Sequence, residues 1–185
     1  MDSLRPDWYL DELAHAGGEH LDPAYVATYE RKAGTDPAGD VALLRELGLD
    51  GRGVLVDLGA GAGTLALAAA PHCGRVVAVD VSPAMLAILR EKVARSGATN
   101  VEVARGGFLS YDHQGPPADF VYSRNALHHL PDFWKAIALA RVAALLRPGG
   151  VLFLRDLIYD LDPGAVPAAF ESWLGNATAR PEDGW

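Results

Sequence analysis

Cysteine, secretory signals and long apolar runs are scarce in this sequence of 185 residues. Its one cysteine, Cys73, cannot form an internal disulfide, which is typical of proteins from reducing compartments. The longest apolar stretch, residues 58–71, is too short and too rich in glycine to cross a bilayer. The first residues include Asp2, Arg5 and Asp7 and no apolar run, so we expect no secretory signal. These absences predict a cytoplasmic protein without a membrane segment.

Positive charge is also in short supply. The chain has 16 Lys and Arg against 24 Asp and Glu, for a formal net charge of −8. Most of the excess lies in residues 1–50, which hold 11 acidic and 4 basic residues. A surface of this sign repels phosphate backbones, and runs of basic residues are absent. We therefore expect no nucleic acid partner, although a specific RNA substrate stays open.

Apolar runs that alternate with helix signals indicate the fold class. The predicted strands are residues 54–57, 75–80, 101–105, 118–123 and 151–156. Each is nearly continuously apolar, as strands buried on both faces of a parallel sheet are. The sequence therefore predicts one α/β domain with a doubly wound, Rossmann-like parallel sheet. Within it we expect an arm and helices over 1–50 that form a lid or cap, a core over 51–160, and a helical tail over 161–185.

Several helix signals are clear and others are weak. Asp22-Pro23, Asp36-Pro37 and Ser82-Pro83 each combine an N-cap residue with a proline suited to the first helical position. Residues 1–21 show little periodicity and predict a loosely held arm. Asp132 is expected to cap a further helix. The inward stripe expected for that helix is Phe133, Ile137, Ala140 and Ala144, and the expected stop is residues 148–150. A last helix is expected over 163–175, with Phe170 buried.

A glycine-rich turn follows the first predicted strand. Its glycines, at 59, 61 and 63, would let a ligand approach the backbone, and the next helix start points free N–H groups at that ligand. Asp57 beside the turn would repel a pyrophosphate but suits a cation. Thr64 stands where the third glycine of a dinucleotide fingerprint is expected. The turn thus favours a cationic ligand over a dinucleotide.

A second acid, Asp80, closes the next strand. The carboxyl ends of neighbouring parallel strands lie at the same edge of the sheet, where ligands of such folds bind. A carboxylate at this place can accept hydrogen bonds from both hydroxyls of a ribose, as in dinucleotide-binding folds. Asp57 and Asp80 together therefore predict a site for a cationic nucleoside.

At this point the chain resembles the class I S-adenosylmethionine (SAM) dependent methyltransferases of the small-molecule and quinone type. The resemblance is carried by the acidic glycine turn, by Asp-Val-Ser-Pro-Ala-Met-Leu at 80–86, by Ser-Arg-Asn-Ala-Leu-His-His-Leu at 123–130 and by Leu-Arg-Pro-Gly-Gly at 146–150. It covers about residues 22–160 and implies SAM as cofactor and the strand order 3-2-1-4-5. Relatives add an antiparallel pair of strands after the fifth, for which no alternating run follows Asp156. We expect a truncated chain, or one completed by a partner or by homo-oligomerisation at the open sheet edge.

The resemblance also implies which residues bind the cofactor. The glycine turn would lie against its aminoacyl part, Asp80 would hold the ribose, and Val81 and Met85 would pack on the adenine. Relatives commonly carry an aspartate for the adenine amino group where this chain has Gly107, so the base contact would fall to backbone groups of Gly107 and Phe108. The full expected set is Asp57, Gly59, Ala60, Gly61, Asp80, Val81, Met85, Gly107, Phe108 and Asn125.

The implied function is methyl transfer from SAM to a small-molecule acceptor. In-line displacement at the sulfonium methyl needs alignment and exclusion of water more than acid or base catalysis, and no catalytic residue is assigned. His129 is the first candidate base for a hydroxyl acceptor, because imidazole titrates near neutral pH. It and His128 can equally be structural residues. Adjacent histidines with no third ligand make a poor metal site, so we expect no metal.

Two other functions stay open. Gly107 and the absent last strands favour a catalytically silent SAM-binding partner or regulatory subunit. An NAD-dependent oxidoreductase is disfavoured by Asp57 and Thr64. Tyr25 and Tyr29 share a helix face, and their rings would either pack against the domain or form part of a lid over the ligand.

Overall fold

The predicted parallel sheet is present in a computed structural model, which describes residues 6–22, 26, 36–157, 162 and 164–177. The strands are β1 Val54–Leu58, β2 Arg75–Asp80, β3 Val101–Arg105, β4 Ala118–Arg124 and β5 Leu146–Arg155. The helices are α1 Ala38–Glu46, α2 Thr64–Ala69, α3 Pro83–Ser96, α4 Asp132–Leu145 and α5 Val166–Ala177. Each strand pairs in parallel with its neighbours in the order β3-β2-β1-β4-β5. The expected doubly wound fold and strand order are confirmed.

The central strand β1 separates two apolar cores, because successive side chains of a strand point to opposite faces. Leu55 packs with Leu44 of α1 and Leu89 of α3 on one face. Val56 packs in the core on the other face, which includes Val142 of α4. Every residue of β1 is buried. Both faces are thus covered, which explains the uninterrupted apolar sequence of the strand.

Two of the predicted helix starts are present, one of them at the predicted residues and the other one residue later. Ser82 is the N-cap of α3, where its hydroxyl accepts the Met85 N–H at 3.2 Å, and Pro83 is the first helical residue. Before α1 the Asp36 carboxylate accepts the Ala38 N–H at 2.9 Å, but the N-cap is Pro37 and the first helical residue is Ala38, one residue later than predicted. Local capping chemistry therefore sets where α3 begins and fixes the start of α1 to within one residue. In the described residues no helix has the length and apolar character required to cross a membrane.

The prediction for α4 and β5 was partly wrong. Pro131, not Asp132, is the N-cap, and Asp132 is the first helical residue. The side chains buried by α4 are Ala138 and Val142, whereas Phe133 is 68% exposed and Ala140 and Ala144 are exposed. Alanine occurs on several faces of this helix, so spacing alone does not identify the packed one.

The start of β5 was also misplaced. The strand begins at Leu146, directly after α4, and residues 148–150 lie within it at a shift of register against β4. In such a β-bulge, proline and glycine are tolerated inside a strand instead of ending the preceding helix. In the part of the chain that the structure describes, no further strand pairs with the outer side of β5.

The arm, defined as residues 6–22, is held more firmly than expected. It forms two short 3₁₀ turns, Leu13–His15 and Gly18–Leu21. The Tyr9 ring meets the Trp134 ring of α4 edge-on, with centroids 4.8 Å apart, and Glu12 is buried. Aromatic packing and a buried carboxylate thus hold the arm in place, although its sequence shows no helical periodicity.

Two predictions fall on the ends of the described chain. The helix expected from Asp22 to about residue 32, with Tyr25 and Tyr29, lies outside the described residues except for Asp22 and Val26. The Val26 N–H donates to the Asp22 carbonyl at 2.9 Å, and the Val26 side chain is buried beside Ala62 and Met85. The expected helix near the carboxyl end is present as α5, but Phe170 is 44% exposed and the expectation that it is buried is wrong.

We predict that Gly63→Ala lowers the free energy of unfolding more than Gly97→Ala. Both glycines have positive φ, 82° and 71°, so either alanine costs about 1–2 kcal/mol of backbone strain. A Cβ at 63 would also overlap Cδ1 of buried Leu89, whereas nothing lies within 4 Å of a Cβ at 97. Overpacking of this kind adds about 1–3 kcal/mol. Urea unfolding of both variants measures the difference, and equal losses would contradict the close packing of the turn on α3.

Candidate active site

A cleft opens at the carboxyl ends of β1, β2, β3 and β4, where ligands of doubly wound sheets bind. Its empty volume, open mouth included, is about 670 Å³. The residues from the sheet side are Gly59, Gly61, Asp80, Val81, Ser82, Met85, Gly106, Gly107, Phe108, Arg124, Asn125, Ala126, His129 and Leu130. The arm contributes Glu12, Ala16 and His20. The cleft brings together all the expected site residues except Asp57 and Ala60.

The Asp80 carboxylate organises the glycine turn. Its Oδ2 accepts the Gly61 N–H at 2.8 Å, and its Oδ1 accepts the Ser82 N–H at 2.8 Å. Burial raises the pKa of this carboxyl, while hydrogen bonds from Ser82 and Gly61 act in the opposite direction. Asp80 therefore presents a carboxylate that is fixed in position at the cleft wall.

Asp57 lies behind the turn and does not line the cleft. It is 2% exposed, and its Oδ2 has no hydrogen-bond partner in the described part of the chain. Burial, and then repulsion from Asp80, raise the pKa of Asp57 to about 7, against a smaller opposing effect of the Ala66 N–H. A nearby cation would relieve this unfavourable pair of acids.

The apolar part of the cleft lies beyond Asp80. Val81 and Met85 follow β2, and Phe108 follows β3; Met85 is 3% exposed and Phe108 7%. Both backbone polar groups of Gly107 are used within the loop: its N–H donates to Ser110 Oγ at 2.8 Å and its carbonyl accepts the Tyr111 N–H at 2.9 Å. The backbone of Gly107 therefore has less to offer a ligand than we expected.

Glu12 is a cleft residue that the sequence did not point to. Its side chain is buried, its Oε1 accepts the Leu109 N–H at 3.0 Å, and its Oε2 accepts the Ser110 hydroxyl at 2.5 Å. Glu12 comes from a segment without periodicity, so its own sequence context gives no signal. The one hint in the sequence was Gly107, which stands where relatives commonly carry an aspartate. This glycine leaves room for the Glu12 carboxylate.

The end of β4 carries an unusual backbone. Asn125 has φ of 51°, a left-handed conformation that is uncommon outside glycine and concentrated at functional sites. Its N–H donates to the Arg155 carbonyl at 2.9 Å, which fixes it to β5. Ala126, the next residue, packs so closely on Gly59 that a Cβ at 59 would overlap it. The glycine turn and the β4 loop thus form two fixed walls of the cleft.

Three histidines lie on the side of the β4 loop. The His129 and His20 rings both line the cleft, edge to face, with centroids 5.7 Å apart. The ring atom His128 Nδ1 lies 2.6 Å from Asp156 Oδ1, and the backbone N–H of His128 donates to Asp156 Oδ2 at 3.0 Å. Within the described ranges, no group of three or more His, Cys, Asp or Glu side chains is arranged to hold a metal ion.

A buried acid of α1 supports the wall of the cleft from behind. Asp40, 2% exposed, accepts the Tyr122 hydroxyl at 2.6 Å and pairs with Arg124 Nη1 at 3.1 Å and Arg155 Nη1 at 2.9 Å. Burial, and then the adjacent Asp40, raise the pKa of Tyr122. Asp40 thus joins α1 to the carboxyl ends of both β4 and β5.

Comparison with known proteins agrees with this geometry. The chain is 33% identical over 71% of its length to ribosomal protein L11 methyltransferase of Symbiobacterium thermophilum, and 35% identical over 50% of its length to demethylmenaquinone methyltransferase of Shouchella clausii. It covers 41% and 39% of those two proteins, so it spans about two fifths of their length. A SAM-bound structure of an amino pentose methyltransferase from Micromonospora echinaspora superposes with a TM-score of 0.61 at 25% identity, over 84% of this chain and 60% of that one.

Residues 55–150, just over half of the chain, match the family described as methyltransferase domain. That range contains β1 except for its first residue, β2 to β4, most of the cleft and the motifs on which the resemblance was based. The chain therefore belongs to the methyltransferase domain family, and its identification from sequence as a class I SAM-dependent methyltransferase is confirmed.

Proposed function

We propose that this chain transfers the methyl group of SAM to a small-molecule acceptor. The observation that carries the proposal is the cleft at the carboxyl ends of the strands, with a fixed carboxylate, a glycine turn and an apolar slot in one enclosure. The arm covers this cleft with Glu12, Ala16 and His20. This cover supports a lid or cap role for residues 1–50 and favours an acceptor small enough to enter beneath it.

The residues of the cleft fit SAM by their chemistry. Asp80 keeps acceptor capacity beyond its two backbone bonds, since a carboxylate has about four lone-pair sites, and can receive ribose hydroxyls. Val81, Met85 and Phe108 offer apolar surface for a base. We assign the rest of the cofactor contacts to the glycine turn, Gly59 to Gly61, and to Asn125.

Asp57 is the residue that we assign to the positive charge of the cofactor. SAM carries an ammonium and a sulfonium, and its sulfonium supplies an activated methyl group. Asp57 is too deeply buried to line the cleft, so its effect is electrostatic, through the low dielectric of the interior. Because two neighbouring acids disfavour each other's ionisation, a bound cation stabilises the charged form of Asp57.

The chain's own contribution to the reaction is alignment and exclusion of water. The β4 loop, fixed by Asn125 to β5, supplies the wall opposite the glycine turn. His129 lines the same cleft and is the candidate base for a hydroxyl acceptor, with His20 beside it. An amine, thiol or enolate acceptor would need no such base.

The function is tested by incubating the protein with methyl-labelled SAM and separate pools of phenols, amines, quinones, ribosomal protein and ribosomal RNA. The macromolecular pools are needed because relatives include methyltransferases named for a ribosomal protein and for rRNA. Label in a small-molecule product is expected. Label only in protein or RNA would contradict the acceptor class. SAM binding without any transfer would favour the silent SAM-binding partner.

We predict that Asp80→Ala weakens SAM binding by about tenfold or more. Hydrogen bonds to a charged group contribute about 1.5–3 kcal/mol, and the variant also frees the glycine turn. Asp80→Asn, which keeps the size and one acceptor oxygen, should lose less. Asp132→Ala, at a side chain that is 98% exposed, is the matched control. Unchanged affinity by calorimetry in Asp80→Ala would overturn the ribose assignment.

We predict that Asp57→Asn raises the melting temperature of the ligand-free protein clearly more at pH 8 than at pH 5. The folded-state pKa of Asp57, about 7, lies above the ordinary value of 3.8 for an aspartate side chain. The carboxylate therefore opposes folding increasingly as pH rises from 3.8 through about 7, and asparagine removes that cost. A gain of several degrees is expected, as about 1 kcal/mol corresponds to about 2–4 °C at this size. An equal shift at both pH values would contradict the raised pKa.

The same variant tests the role of Asp57 in binding. In the natural protein, SAM affinity should increase as Asp57 loses its proton between pH 6 and 8, because the cofactor favours the ionised acid. In Asp57→Asn the affinity should be lower at pH 8 and the increase with pH smaller. Titration of SAM itself affects both proteins alike, so the difference between their pH profiles isolates Asp57. Parallel profiles would exclude it as the partner of the positive charge.

A further inference from the structure

A carboxylate from outside the matched family range completes the apolar end of the cleft. Glu12 belongs to the arm, yet its side chain lies 8% exposed between the loop after β3 and the cleft. Its backbone neighbour in that loop is Leu109, 97 residues away in sequence. The burial of a charged side chain is costly unless it is hydrogen-bonded, so a position like this one needs a reason.

Glu12 fills the space beside Gly107. A Cβ at 107 would overlap Glu12 Oε1 and would come within 2.8 Å of both Glu12 Cδ and Val81 Cγ1. Any side chain at 107 would therefore displace this carboxylate. Conversely, Glu12 Oε1 occupies the region in which the carboxylate of an aspartate at position 107 would lie. The position of the Glu12 carboxylate therefore requires glycine at 107.

The hydrogen bonds of Glu12 leave it able to accept more. Oε1 has the Leu109 N–H at 3.0 Å and Oε2 has the Ser110 hydroxyl at 2.5 Å, so two of about four acceptor positions are used. Both donors belong to the loop after β3, which holds the carboxylate at the cleft wall. A ligand group that donates hydrogen bonds would satisfy this acid, and one that only accepts would be repelled by it.

The position of Glu12 relative to Asp80 identifies the part of the ligand. Asp80 marks the ribose, and the surface of Val81, Met85 and Phe108 beyond it suits a flat base. Glu12 lies at that end, beside Gly107 and Phe108. We propose, on the basis of the proposed SAM site, that Glu12 recognises the exocyclic amino group of the adenine and makes the cleft select a 6-amino over a 6-oxo purine.

The arm is anchored so that Glu12 keeps its position. Tyr9 and Trp8 both contact the Trp134 ring of α4, with centroid distances of 4.8 Å and 6.4 Å. On the other side of Glu12, the His20 carbonyl accepts the Ser82 hydroxyl at 2.6 Å. The carboxylate is thus held between two attachments, as a specificity contact requires.

The test compares binding of S-adenosylhomocysteine with that of S-inosylhomocysteine, which carries a 6-oxo group in place of the amine. Calorimetry on the natural protein should give a preference for the adenosine compound of about 10- to 100-fold, the scale of a hydrogen bond to a charged group. In Glu12→Gln the preference should fall to about threefold or less, because an amide can accept from the amine or donate to the oxo group. Asp11→Asn, an exposed acid of the same arm, is the control and should keep the full preference.

A double variant separates recognition from folding. Glu12→Ala should lose the preference, and Glu12→Ala with Gly107→Asp should regain it, because removal of the Glu12 carboxylate leaves a shift of Val81 Cγ1 as the only adjustment that the new side chain requires. If Glu12→Gln does not fold, the comparison of Glu12→Ala with the double variant tests the role of Glu12 instead. An unchanged preference in Glu12→Gln or Glu12→Ala, or no preference in the natural protein, would overturn the role of Glu12. Failure of the natural protein to bind S-adenosylhomocysteine would instead contradict the proposed cofactor site.

Discussion

The cleft depends on the way one carboxylate gathers backbone N–H groups from two chain segments. Asp80 accepts from Gly61 in the glycine turn and from Ser82 at the start of α3. Ser82 in turn caps α3 and donates to the carbonyl of His20 in the arm. Hydrogen bonds to Asp80 and Ser82 therefore fix the glycine turn, the start of α3 and the arm relative to the carboxyl end of β2. The same acid also lines the cleft, so in the proposed function ligand binding and local structure are not separable at Asp80.

The parts of the fold that were predictable are those that local chemistry decides. Ser82 followed by Pro83 specifies a helix start whatever surrounds it, and the apolar run of β1 specifies burial on both faces. The glycine turn was recognisable because a positive φ and close packing against Ala126 and Leu89 leave few alternatives to glycine. A structural feature that depends only on neighbouring residues can thus be predicted from a few adjacent positions of the sequence.

The parts that were not predictable depend on contacts between distant residues. An alanine-rich helix such as α4 can present several faces, and only the sheet selects Ala138 and Val142. The start of β5 at Leu146 depends on its register against β4, which places a proline and two glycines inside a strand. Glu12 has no local signal at all, since its partners Leu109 and Ser110 are distant in sequence.

Asp40 and Glu12 have one further property in common: both precede Leu55, where the similarity to the family begins. One braces the ends of β4 and β5 through Tyr122, Arg124 and Arg155, and the other closes the far end of the cleft. A fragment that began at Leu55 would lose only Val54 from the sheet and would keep every motif on which the family resemblance was based. It would nevertheless leave two guanidinium groups and a phenol without their shared acid and open the cleft to solvent. For expression and engineering, the functional unit is therefore larger than the unit that similarity delimits.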